Sequence, residues 1–119
     1  MYLVDDDVKR LVCEIITNDD DFAHLRGKED KIYAARSEGV KRKYVAKVIG
    51  IRPPASLVTS YVYVIVVNGD IFDTLDDVAK KRVIEHELRH IPPQFNGKTV
   101  KHDVEDFKIM LKKYGIDYV

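Results

Sequence analysis

Apolar residues recur at helical spacing close to the N-terminus. Val8, Leu11, Val12, Ile15 and Ile16 stand at positions i, i+3, i+4, i+7 and i+8, directly after the acidic run Asp5-Asp6-Asp7. Residues three and four apart share one face of a helix, and acidic side chains favour its N-terminal end. We therefore predict a first helix that begins at the acidic run and buries its apolar face.

Further along the chain, the period changes to that of strands. Three such runs are present: Lys31–Ser37, Lys43–Ile49 and Leu57–Val67. Turn-forming residues such as Gly39, Gly50 and Pro53-Pro54 separate them, and the short connections predict an antiparallel meander. Because Tyr61–Val67 is apolar throughout, we expect it to lie deep in the sheet.

A second helical pattern spans Asp73 to Ile91. Thr74 and Asp77 have the spacing of a capping pair, and Pro92 ends the pattern because proline cannot continue a helix. The residues that share the predicted buried face are Leu75, Val78, Ala79, Val83, His86 and His90. We therefore expect both histidines to face the interior.

Two shorter patterns complete the fold prediction. Phe22-Ala23-His24-Leu25 is typical of a short helical turn anchored in the core, and His102 to Gly115 predicts a last helix. The chain is thus expected to form one α+β domain, residues 1–119, in the order α-β-β-β-α-α. Its small, mainly antiparallel sheet would pack against the Asp73–Ile91 helix and the C-terminal helix.

Composition indicates the cellular setting. The 119 residues contain a single cysteine, Cys13, so no disulfide can form within the chain, which is typical of a reducing compartment. No apolar run reaches membrane-spanning length, and the N-terminus is acidic where a signal peptide would be basic. We expect a cytoplasmic protein that makes no membrane contact.

Charge is unevenly distributed, although the formal net charge is zero. Residues 1–25 carry 7 acidic and 2 basic residues, whereas the segment from Arg26 to Arg52 carries 3 acidic and 9 basic residues. Two interpretations follow. The bases pair with the acidic N-terminal helix, or they form a surface for nucleic acid or an acidic protein.

The pentapeptide His86-Glu87-Leu88-Arg89-His90 carries the strongest chemical signal. Residues four apart lie on one face of a helix, so both imidazoles can bind one metal ion, as in the H-E-x-x-H motif of zinc hydrolases. Glu87 lies about 100° around the helix from His86. It is better placed to accept a proton from a water molecule on the metal. The pattern therefore predicts one zinc ion per chain, with Glu87 as the general base.

A catalytic zinc site usually has three protein ligands, and the third is sought downstream of the motif. His102 is the first candidate, because the loop after His90 is long enough to bring it back to the motif helix. Asp103 and Glu105 are alternatives, since sites with one carboxylate are common. Asp106 lies one helical turn beyond His102 and has the spacing to accept a hydrogen bond from its imidazole.

These motifs resemble those of the phage metallopeptidase family and of the related SprT-like metalloproteases. The resemblance is carried by Val83–Ile91, then by Gly97, and then by His102–Phe107, where a later histidine and a phenylalanine head the next helix. There are two departures from the SprT-like pattern. Asp103 stands where those proteins typically have glycine, and this sequence has no cysteine-rich zinc ribbon.

The resemblance implies a minimal zincin-like domain that binds zinc through His86, His90 and His102, with Glu87 as base. The expected function is hydrolysis of peptide bonds in a protein or peptide substrate. The alternative is a non-catalytic, metal-stabilised module that binds nucleic acid or protein through the basic segment 26–52. A closed site with four protein ligands would favour the alternative.

Overall fold

The computed structural model describes residues 1–39 and 44–100. In chain order its helices and strands are β1 (Tyr2–Val4), α1 (Asp6–Asn18), β2 (Ile32–Ser37), β3 (Ala46–Gly50), β4 (Tyr63–Asn68), α2 (Gly69–Phe72) and α3 (Asp77–Leu88). Short 3-10 turns lie at Asp20–Leu25, Glu29–Lys31 and Ala55–Leu57. The predicted α+β class is confirmed, and the predicted last helix lies outside the described residues.

The four strands form one mixed sheet in the order β1-β2-β4-β3. Strands β1 and β2 pair antiparallel, as do β3 and β4, whereas β2 and β4 run parallel with Ile32 opposite Tyr63. The predicted meander is therefore wrong, because β4 inserts between β2 and β3. The nearly continuous apolar side chains of β4 explain its central position, since a strand that is covered on both faces buries nearly all of its side chains.

Strand β4 is shorter than the sequence predicts, and β1 was not predicted at all. The chain from Leu57 to Val62 precedes β4, and both Leu57 and Val58 are exposed. All three residues of β1 are exposed, so the strand lacks the alternation of apolar and polar residues by which a half-buried strand is predicted. The pairing of Val4 with Ala35 defines the strand.

The first helix forms as predicted. Asp5 is its N-cap, and its carboxylate accepts a hydrogen bond from the Val8 N–H at 3.0 Å. The buried residues of α1 are Val8, Val12, Ile15 and Ile16. The predicted anchor that follows is confirmed as well, because Phe22 and Leu25 are buried in a 3-10 turn.

The apolar core lies between the sheet and the helices. Its buried members from the strands include Ile32, Ala34, Ala46, Tyr63, Ile65 and Val67. They pack with the buried face of α1 and with Val83, Ile84 and Leu88 of α3. Helix α3 contacts both β3 and α1, so one end of α3 is held at the sheet edge formed by β3.

Strand β3 lies at the edge of the sheet, so some of its backbone N–H and C=O groups point away from β4. On either side of it, the Val45 carbonyl accepts from Asn68 N–H and the Ile51 N–H donates to the Val62 carbonyl, both at 2.8 Å. Bonds to β4 alternate along an antiparallel strand, so the N–H of Val48 points outward. The outward Val48 N–H donates to the carboxyl group of Glu87, so this end of α3 lies along the outer side of β3.

Candidate metal centre

Helix α3 carries the motif and begins at an acidic cap. The Asp76 carboxylate accepts a hydrogen bond from the Ala79 N–H at 2.8 Å, and Asp77 lies in the first turn. The predicted cap, Thr74, instead donates its hydroxyl to the Ile71 carbonyl at 2.6 Å. The predicted start is therefore wrong by about one turn, because the separate short helix α2 precedes α3.

The motif helix tightens at its end. Regular helical geometry stops at Leu88, and His90 lies in the turn that follows. The His90 N–H donates to the Glu87 carbonyl at 3.1 Å, the i to i+3 pattern of a 3-10 turn. Pro92 accounts for the stop, because it disfavours helical geometry in Ile91. The two histidines thus lie on successive turns of one face.

The predicted buried face of α3 is confirmed in its second half and wrong in its first. Val83 and His86 are buried, and His90 is half-buried. Val78 is 62% exposed, and Leu75 is only partly buried. The first turn of α3 borders an open groove against α1, so its apolar side chains do not reach the core.

Three side chains of the motif converge at the buried end of α3. His86, Glu87 and His90 each offer one ligand atom, and these atoms all lie within 4.8 Å of one another. The two imidazole rings meet edge to face, with centroids 5.0 Å apart and planes at 85°. Two imidazoles and a carboxylate are donors that suit a divalent transition metal, so the donor set fits a metal ion.

Glu87 is a buried carboxyl group with a strongly shifted pKa. It is 3% exposed, and burial raises its pKa from the ordinary 4.5 to about 8. A hydrogen bond from the Val48 backbone N–H acts in the opposite direction but is outweighed. A metal-free centre at neutral pH therefore holds this carboxyl largely in its protonated form.

A backbone carbonyl fixes the ring of His90. The His90 Nδ1 lies 2.5 Å from the Val100 carbonyl oxygen, and the Val100 N–H donates to the His90 carbonyl at 2.7 Å. Because a carbonyl can only accept, Nδ1 carries the proton, and in the neutral ring Nε2 then carries the lone pair. A metal ligand needs that lone pair, and a hydrogen bond at the other ring nitrogen is its usual support.

Sequence reasoning found the three converging side chains but not the backbone groups that support them. The N–H of Val48 and the carbonyl of Val100 are common to almost every residue, so no side-chain pattern marks them. The predicted third ligand His102, its alternatives Asp103 and Glu105, and the supporting Asp106 lie outside the described residues.

The basic segment 26–52 is largely engaged within the protein where the structure describes it. Arg26 forms an ion pair with Asp20 at 3.0 Å, and Arg36 lies among several carboxylates that include Asp5 of the N-cap. The ammonium of Lys28 lies over the ring of Phe95, and that of Lys47 over Tyr44. These contacts favour internal pairing, and the described residues lend no support to nucleic-acid binding.

None of the helices within residues 1–39 and 44–100 is both long and apolar enough to cross a membrane.

The described residues form a small α+β fold whose most distinctive chemistry is the H-E-x-x-H centre at the buried end of α3. That combination is typical of metal-dependent hydrolases.

Comparison with known families agrees with this class. A family model described as "Putative phage metallopeptidase" matches residues 1–119, and the chain belongs to that family. The family implies a metal, for which the convergent donors of α3 are a fitting site. No curated protein and no solved structure gives a significant match to the chain.

Proposed function

We propose that this protein is a zinc-dependent peptidase that hydrolyses peptide bonds in a protein or peptide substrate. His86, His90 and His102 are the proposed ligands, and Glu87 is the proposed general base. The observation that carries the proposal is the burial of Glu87 between two histidines whose ligand atoms lie within 4.8 Å of it and of each other. Family membership supports the same reaction class.

Glu87 is suited to move a proton during the reaction. Its carboxyl group accepts a hydrogen bond from the Val48 N–H, which orients it, and a cation bound beside it would lower its raised pKa so that the carboxylate is available to accept a proton. In the proposed reaction it takes a proton from the attacking water and gives it to the leaving amine. Zinc, when bound, would polarise the peptide carbonyl and acidify the water.

The position of Val100 supports His102 as the third ligand. The backbone of Val100 is bonded to His90 in both directions, so the described chain ends beside the centre. His102 follows Val100 by two residues in the sequence. Asp103 and Glu105 lie farther along the chain, and His102 has the shortest tether.

Zinc content per chain tests the proposal. Tag-free protein is expected to hold about one zinc ion after reconstitution and dialysis, as three-histidine sites do. His102→Ala should lower the occupancy sharply, whereas Asp103→Ala and Glu105→Ala should leave it near the parent value. Loss of zinc in one of the two carboxylate variants alone would move the third ligand to that residue.

Hydrolysis is tested on the reconstituted protein. Cleavage of an unstructured protein substrate should require zinc, stop with a chelator and return when zinc is restored. A protein that binds zinc tightly but cleaves no peptide under any of these conditions would contradict the proposed activity. Its metal would then be structural.

A further inference from the structure

Tyr63 lies in the central strand, yet its hydroxyl reaches the loop behind the metal centre. The side chain is fully buried. Its hydroxyl accepts a hydrogen bond from the Gly97 N–H at 3.1 Å and donates one to the Lys98 carbonyl at 2.5 Å. The ring of Phe95 packs against the Tyr63 ring with centroids 5.0 Å apart. The Tyr63 hydroxyl thus bonds to the backbone of two consecutive loop residues, Gly97 and Lys98.

Two glycines allow the loop to approach the sheet this closely. Gly97 has φ of +82°, and a Cβ there would lie 2.7 Å from the Ile51 carbonyl oxygen. Gly50 ends β3, and a Cβ there would lie 1.7 Å from the Gly97 carbonyl oxygen. The loop therefore packs backbone to backbone on the end of β3, beside the Tyr63 hydroxyl.

The anchored part of the loop lies two residues before the group that holds His90. The carbonyl of Lys98 is bonded to Tyr63, and the backbone of Val100 is bonded to His90 in both directions. Two residues span at most about 7.6 Å between Cα atoms. The anchor at Tyr63 therefore limits where the Val100 carbonyl, and with it the His90 ring, can lie, in addition to the direct bond from the Val100 N–H to the His90 carbonyl.

We propose that Tyr63 is a positioning residue of the metal centre. Its hydroxyl holds residues 97–100 where the Val100 carbonyl keeps His90 in the Nδ1–H tautomer, which leaves the Nε2 lone pair for the metal. The inference rests on the proposed function in taking His90 as a metal ligand. The tautomer, however, is a property of the metal-free chain and can be measured independently of any activity.

The test compares Tyr63→Phe with Tyr61→Phe, a matched loss of one hydroxyl two residues away. Tyr61 packs its ring against Tyr33, on the other side of the strand start, with centroids 5.0 Å apart. Two quantities are measured: the tautomer of His90 in metal-free protein, by ¹⁵N NMR of the imidazole nitrogens, and the zinc affinity, by competition with a chromophoric chelator.

In Tyr63→Phe we expect His90 to become a mixture of tautomers and the zinc affinity to fall by about 10- to 100-fold, as for other partners of metal-binding histidines. Tyr61→Phe should match the parent in both. A Tyr63→Phe protein that keeps the pure Nδ1–H tautomer would overturn the inference, even if its zinc affinity fell. A parent that binds no zinc would refute the proposed function, while a tautomer shift in Tyr63→Phe would still support the positioning role.

If Tyr63→Phe does not fold, Val100→Pro tests the same connection from the surface. Val100 is 46% exposed, and proline removes the N–H that donates to the His90 carbonyl. The same tautomer mixture is expected. An unchanged His90 tautomer in this variant would also contradict the inference.

Discussion

Two polar clusters, one around Arg36 of β2 and one around Glu87 of α3, are compensated very differently. Arg36 of β2, 21% exposed, is surrounded by three carboxylates: Asp5 at 3.6 Å, Glu38 at 2.9 Å, and Asp73 in a short ion pair. The hydrogen bond to Asp73 and the neighbouring charges raise the pKa of Arg36 despite burial. Glu87 has the opposite balance, since burial outweighs its backbone hydrogen bond.

The comparison separates a structural cluster from a candidate reactive one. Arg36 joins the start of α1, the sheet and the end of α2, and its charge is neutralised within the fold. Burial of a charge without such compensation is costly, and a fold retains it where a ligand or a reaction supplies the missing partner. The buried carboxyl of Glu87 fits that description, and a divalent cation, for which the two histidines beside it are suitable ligands, is a partner that its chemistry suits.

The largest expected effect is on catalysis at Glu87. Glu87→Gln keeps the shape of the side chain but removes the base, so hydrolysis by the zinc-loaded protein should fall by about 10²- to 10⁴-fold. Zinc content should stay close to the parent value. Initial rates and zinc content measured on the same preparations check both statements, and retention of full activity would remove Glu87 from the mechanism.

The next effect is a pH dependence of stability in metal-free protein. The pKa of Glu87 is about 8 in the folded chain and near 4.5 when the carboxyl is exposed on unfolding. The unfolded state therefore loses its proton first as the pH rises. The contribution of Glu87 is fully present below pH 4.5 and is lost as the pH rises to about 8, by about 3–5 kcal/mol.

Chemical denaturation from pH 5 to pH 8 in the presence of a chelator measures this loss. Glu87→Gln should flatten the pH profile and be the more stable protein at pH 8. Added zinc should also flatten the profile, because a cation beside the carboxylate lowers its pKa. A parent protein with the same free energy of unfolding throughout this range would contradict the burial argument for Glu87.

A smaller effect is expected at the compensated cluster. Arg36→Ala leaves the buried Asp5 carboxylate without its cation, and we expect a loss of about 2–3 kcal/mol in the free energy of unfolding, below the range for fully buried pairs. Zinc affinity should not change. If Arg36→Ala instead weakened zinc binding as strongly as stability, the two clusters would be coupled rather than separate.

The smallest effect is expected at the exposed edge of the same cluster. The Asp73 side chain is 55% exposed, so Asp73→Asn should cost no more than about 1 kcal/mol, in line with surface ion pairs. The midpoint of urea denaturation should move accordingly. A loss as large as that of Arg36→Ala would show that Asp73, and not Asp5, is the main partner.

The parts of the structure that sequence predicted best are those in which side chains decide the outcome. Helix α1 follows from its apolar period and its Asp5 cap, and the convergence of His86 and His90 follows from their spacing. The parallel pairing of β2 with β4 could not be predicted, because short connections suggest neighbours and strand order depends on the whole sheet. Likewise, nothing in the sequence marks the supporting N–H of Val48.

The exposure of Val78 shows the limit of periodicity within one helix. Its spacing from Val83 is helical, but helix α3 leaves the core at its first turn, so a residue on the apolar stripe lies in an open groove. A periodic pattern predicts a face and not how far the partner surface extends. The boundary of the buried region was therefore set by tertiary packing.

The parallel pairing at the centre of the sheet has a consequence for how the protein folds. Ile32 and Tyr63 are partners although they lie 31 positions apart in the sequence, so the middle of the sheet closes only after a long loop has lost its freedom. Non-local pairings of this kind slow folding. Tyr63 belongs to that late-closing strand, so the loop that it anchors and the metal centre beside it are expected to become ordered after the sheet, not before it.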